Sequence, residues 1–199
     1  MLMLMAALQA MALGPAPAPH APAVPDDPRY ASCAGAPDML AKGSHLSWKL
    51  PSSDIKGHRK LRDALRASPP PETGPRILWF ANGGDLATTT FSVVATRDSA
   101  GWWRVDGVGS TRVWIADAKP TIMPTIGRTL SEAESREIDA LIADPCLTAQ
   151  PTFVDDPRIA AGGLYHQLEI EGAGHDWRGG WHGMPTVIED RITTILGKH

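Results

Sequence analysis

Residues Thr88 to Val108 constrain the fold more than any other stretch. Thr89, Phe91, Val93 and Ala95 alternate with Thr90, Ser92, Val94 and Thr96. Beyond Ser99-Ala100-Gly101, Trp103 and Val105 alternate with Trp102, Arg104 and Asp106. Strand side chains point to opposite faces in turn, so each run gathers its larger apolar groups on one side. A short glycine-containing connection between two such runs is a hairpin signal. One face of this hairpin is expected to press against helical cover.

Other segments extend that pattern in both directions. Leu46 to Leu50 and Arg76 to Ala81 read as short strands, and Arg112 to Ile115 as a further one. Ser52 and Ser53 offer caps for a helix carrying Ile55, His58, Leu61 and Leu65 at helical spacing, which stops before Pro69-Pro70-Pro71. Asn82-Gly83-Gly84-Asp85 is turn chemistry, and Pro120 and Pro124 bracket a loop. Ser131-Glu132-Ala133-Glu134 fits a capping box, with Leu130 before it, Ile138, Leu141 and Ile142 as an apolar stripe, and Pro145 as a stop. Leu164, His166, Leu168 and Ile170 share one face of a later strand, whereas Tyr165, Gln167, Glu169 and Glu171 share the other. Gly172 to Gly183 reads as a return strand or an ordered loop. A last helix follows, with Pro185 in its first turn and Gly197 beyond its end.

Strands joined by short turns give an antiparallel sheet, and helices between strand groups cover one of its faces. The expected fold is therefore α+β: a single domain over residues 33–199, with about three helices including a C-terminal one. Residues 1–12 are apolar and end in Ala10-Met11-Ala12, a small-x-small pattern that fits a signal peptide, although no Lys or Arg precedes them. Residues 13–32, rich in Pro and Ala, read as an extended linker. Such a chain is expected to be periplasmic or secreted, with no transmembrane helix once the leader is removed. An oxidising compartment would let its two cysteines, Cys33 and Cys146, form a disulfide bond.

The formal net charge is -3 and no run of Lys and Arg occurs, so nucleic acid is not an expected partner. Motifs for a phosphate loop, a dinucleotide loop, a serine nucleophile elbow and a zinc protease helix are all missing from the sequence. The richest segment is Gly174 to Gly183. Trp177, Arg178 and Trp181 there form a candidate ligand-binding set, in which indole faces stack on a sugar or peptide and Arg178 holds an anionic group. The bland reading puts both tryptophans in the core. His175, His182 and Glu169 form a candidate zinc set, against solvent-facing histidines in a turn. Glu169 and Glu171 otherwise read as a solvated face, and His166 as a hydrogen-bonded core histidine.

These readings favour an exported, non-catalytic envelope or binding protein. Its partner would be a small molecule, a glycan or a protein of the envelope, and no cofactor is expected. One alternative is a metal-assisted hydrolase built on His175, His182 and Glu169. Another is an inhibitor of an envelope enzyme that presents Gly172 to Gly183 as a rigid loop. The sequence sets neither ligand nor oligomeric state.

Overall fold

The computed structural model describes Cys33 and residues 44–156, 162–172, 174 and 176–198. The leader-like and proline-rich segments lie outside these residues. Strands β2 (Arg76–Gly83), β3 (Ala87–Arg97) and β4 (Trp103–Val113) form an antiparallel meander at the centre. On one side β8 (Leu164–Glu171) pairs with β2, and β9 (Trp177–His182) pairs with β8, both antiparallel. The short β7 (Phe153–Asp155) joins β9 in parallel, and β1 (His45–Ser47) closes that edge. On the other side β5 (Thr121–Ile122) and β6 (Ile126–Thr129) share the outer edge of β4. The nine strands make one sheet, so the α+β fold expected from the pattern is the one observed.

The hairpin forms as its alternation requires. Ala95 sits opposite Val105 and Arg97 opposite Trp103, and the carboxylate of Asp98 accepts the N–H groups of Ala100 and Trp102 across the turn. Val93, Ala95, Trp103 and Val105 are buried against helical cover. Burying each such side chain contributes roughly 1.5–3 kcal/mol, less for the alanine. The cover on this face comes from α2 (Glu132–Ala143), α3 (Pro145–Ala149) and α4 (Val187–Leu196), through Ile138, Leu141, Leu147, Ile192 and Leu196.

Local chemistry starts and stops these helices. Ser131 and Glu134 make the expected capping box, and Leu130 is buried beside it. Pro145 ends α2 and also opens α3, where Asp144 caps the Cys146 N–H. In α4 the cap is Thr186, with Glu189 completing a second box, so Pro185 stands before the cap rather than in the first turn. Arg128 on β6 clamps α2 to α4 by reaching Glu134 and the Ile195 carbonyl. Arg128 and the Ser131 N–H hold the Glu134 carboxyl at about 2.

The second face is not left to water, as one-sided cover would have it. Helix α1 (Ile55–Ala64) lies across it. The expected caps Ser52 and Ser53 give way to Asp54 at the N-cap, although Ser53 Oγ accepts the Ile55 N–H. α1 buries His58 and Arg62 most deeply, whereas Ile55, Leu61 and Leu65 are half-buried. His58 packs on Phe80 at 5.1 Å and bonds Ser92 Oγ at 2.7 Å. Arg62 pairs with Asp106 of β4. Cys33 and Cys146 form a disulfide, with Cα atoms 5.8 Å apart, tying the entering chain to α3. Among the described residues no helix is long and apolar enough to cross a membrane.

Candidate functional site

The β8–β9 ladder separates the residues that the sequence groups together. Trp177 and Trp181 fall on the helix-covered face, and Arg178 falls on the other. Trp181 is 2% exposed and Trp177 4%. They hold up the core, which leaves them almost no surface for a ligand. Trp181 also lies against His166, which accepts the Trp79 indole N–H at 3.3 Å, so the hydrogen bond expected of this histidine is present while its ring is half-buried at the edge of the core.

On the opposite face, Glu169 sits at the centre of a polar strip. Its register partner is Arg178, whose Nε lies 3.2 Å from Oε2 but off the line of a hydrogen bond. Oε1 accepts the Asp54 N–H at 2.7 Å and the Gln167 amide at 3.2 Å. The Gln167 amide also donates to the Ser52 carbonyl at 2.7 Å. Glu171 bonds Arg76 and faces Arg178 at 3.5 Å. Glu169 is fully buried, so the solvated face expected for it does not exist: the lead-in to α1 lies over it. Its contacts are those of a tether that pins Ser52 to Asp54 onto the sheet. Burial raises the Asp54 carboxyl, while the Gly57 N–H opposes the shift.

Further along the strip the side chains become half-exposed. Tyr165 faces His182, with ring centroids 5.2 Å apart, and Phe153 stands 6.0 Å from the same imidazole. His182 Nδ1 lies 3.3 Å from Asp155. Gly180 makes this possible, because a Cβ there would meet the Tyr165 hydroxyl at 2.6 Å. Burial raises the Tyr165 phenol, and the charges of Asp54, Glu169 and Glu189 add to the shift.

Two of the expected zinc ligands can be placed. Glu169 is opposite Arg178 and His182 is opposite Tyr165, so they stand four residues apart along the ladder. Along the ladder that is about 13 Å, and each is engaged elsewhere, Glu169 with Arg178 and His182 with Asp155. The third, His175, lies outside the described residues. Among the described residues no group of three His, Cys, Asp or Glu is placed to hold a metal. Within Gly172 to Gly183, the half from Trp177 to His182 is the return strand β9.

A different surface carries the most exposed large apolar side chains among the described residues. Leu86 is 83% exposed, Trp114 66% and Ile115 68%. Val113, the last residue of β4, is exposed before them. The Trp114 N–H bonds the Leu86 carbonyl at 3.2 Å, so the two residues are neighbours across the β3–β4 ladder. The Trp114 indole N–H donates to Thr88 Oγ1 at 2.6 Å, which fixes the ring on the surface. Sequence reading takes Arg112 to Ile115 for a separate strand and so misses this corner. In the structure β4 runs on to Val113, and Trp114 and Ile115 follow the sheet's end, exposed among the described residues. A lone exposed leucine is ordinary, whereas here Leu86 and Trp114 adjoin and Ile115 follows in the chain, so three large apolar side chains are exposed at one end of the sheet.

Comparison with known protein families, curated sequences and solved structures gives no match.

Proposed function

We propose that this chain is an exported, non-catalytic binding protein that holds a partner protein against the corner formed by Leu86, Trp114 and Ile115. The exposure of Leu86 and Trp114, which adjoin across the ladder, and of Ile115 next in the chain carries the reading. Each forgoes roughly 1.5–3 kcal/mol of burial, which association can recover. Trp114 has the character of a binding anchor: large, aromatic and already held by a hydrogen bond, so little freedom is lost on docking.

Periplasmic or secreted placement rests on the sequence, through the leader-like residues 1–12 and the proline-rich spacer. Sequencing the N-terminus of protein recovered from the cell envelope tests it. Intact Met1 in the cytosolic fraction would refute export.

For the binding reading, the parent and a Leu86→Ser, Trp114→Ser, Ile115→Ser variant are purified from their native host by the same C-terminal tag. The expected result is a stoichiometric companion protein with the parent alone, while both chains unfold at the same urea concentration. Equal recovery of the companion with both would remove the corner from the account.

A further inference from the structure

A cavity of about 510 Å3 opens between α1, the Ser68–Pro71 segment and strands β3, β4 and β6. That is the size of a small-molecule site. Its floor is Val94 and Thr96 of β3 with Arg104 and Asp106 of β4, and Pro69 and Pro71 wall it on one side. Opposite them runs β6, where Gly127 faces Asp106. A Cβ at Gly127 would meet nothing within 4 Å, so the mouth is open above it.

The charges in this cavity do not balance. Arg62 lines it while only 2% exposed, and its carboxylate partner is Asp106. Arg62 Nη1 is held only by three contacts of 3.4 Å, to Ser92 O, Ser92 Oγ and Asp106 O, at the limit of hydrogen bonding. The guanidinium of Arg128 turns away to Glu134 and the Ile195 carbonyl. Arg104 lies on the same strand face as Asp106, two residues before it, is exposed, and its side chain has no ion pair or hydrogen bond among the described residues. Asp106 neutralises Arg62, and the charge of Arg104 is left over.

We infer that this cavity binds a small organic oxyanion, a carboxylate or phosphate carried on a compact apolar body. The oxyanion sits on Arg104 within reach of the Thr96 hydroxyl and of Arg62 Nη1. The apolar body lies along Val94, Pro69 and Pro71. Arg104 supplies the excess charge, and the buried Arg62 supplies a donor whose position is already fixed. The site lies away from the apolar corner and stands or falls independently of the partner reading.

Calorimetric titration of the whole chain with hexanoate, hexyl phosphate, hexanol and inorganic phosphate tests this. Binding is expected for one or both of the organic anions, the better of the two naming the headgroup, and both hexanol and inorganic phosphate are expected to bind more weakly. Replacing Arg104→Gln should weaken the better probe about tenfold or more, since a charge-assisted contact is lost. Gly127→Leu should close the mouth and weaken it likewise. Both positions are exposed, so melting temperatures should match the parent. No binding by either organic anion, equal binding of hexanol or inorganic phosphate, or unchanged affinity in Arg104→Gln would each overturn the inference.

Discussion

The imidazole of His166 lies flat on the indole of Trp181, with ring centroids 5.1 Å apart and planes 4° from parallel. Trp79 lies at 6.1 Å and 22° to the same imidazole, bonding it through its indole N–H. Burial holds this histidine neutral down to about 4, and the neighbouring His182 adds to the shift. Between 6.5 and about 4 the unfolded chain takes up a proton that the folded chain refuses. Stability therefore falls as pH falls through that window, by about 3 kcal/mol from this residue. His58, held down to about 3 by burial and by Arg62, acts in the same direction. Replacing His166→Phe keeps a ring on Trp181 but removes its proton site. Urea unfolding at neutral pH and near pH 5 should show a smaller acid loss in the variant. An identical loss would mean that His166 protonates freely in the fold.

Glu189 has the opposite sign. Its carboxyl is buried in the α4 capping box, and desolvation lifts it from 4.5 to about 7 against the bonds from Thr186. Over that range the folded chain keeps a proton that the unfolded chain releases. Stability from this group therefore falls as pH rises, by about 3 kcal/mol in total. Glu189→Gln retains an acceptor for the Thr186 N–H without the charge. The variant should lose less stability than the parent between pH 5 and pH 8, and a variant that loses just as much would show that Glu189 does not keep its proton.

The Glu169 tether separates two kinds of substitution. Glu169→Gln keeps an acceptor for the Asp54 N–H and should cost about 1 kcal/mol. Both variants leave Arg178 with Glu171 alone, but Glu169→Leu also strands that N–H and takes an acceptor from the Gln167 amide, so it should cost about 3 kcal/mol. Denaturation midpoints of the two variants measure the difference. Equal, small costs would mean that α1 is not fastened here.

How much of this was legible in the sequence depends on how local each signal is. The alternation through Val93, Ala95, Trp103 and Val105 marked the buried side of the hairpin, and Ser131 and Glu134 marked the start of α2, because those patterns are complete within a few residues. Alternation also put Glu169 on the face away from Leu168 and Ile170. It could not say what covers that face, because the cover is the Ser52–Asp54 segment, 115 residues earlier. Helical spacing found α1 and grouped His58 with Ile55, Leu61 and Leu65, but it set Arg62 among the flanking charges. The sheet opposite presents Ser92 and Asp106, so Arg62 turns inward beside His58. Strand β7 has three residues and no period, and its place is set by pairing with Leu46 and Trp181 far along the chain. Trp177, Arg178 and Trp181 are close in sequence, yet the two-residue period that identifies a strand also divides them between its faces.

The Cys33–Cys146 bond closes a loop with a sequence separation of 113. Chain entropy alone gives such a closure about 4–5 kcal/mol. A Cys33→Ser, Cys146→Ser variant should unfold at a clearly lower urea concentration than the oxidised parent, and reduction of the parent should reproduce that loss. If all three unfold together, the bond does not restrain the unfolded chain.

Photo-crosslinking from position 114 tests the partner reading most directly. A photo-reactive amino acid replaces Trp114 in one protein and, as a control on the exposed side of α1, Arg59 in another. Both are expressed in the native host and irradiated in intact cells. The account predicts one dominant protein adduct from position 114, absent from position 59 and suppressed when Leu86→Ser and Ile115→Ser are added. No adduct from position 114, or the same adducts from both positions, would contradict it.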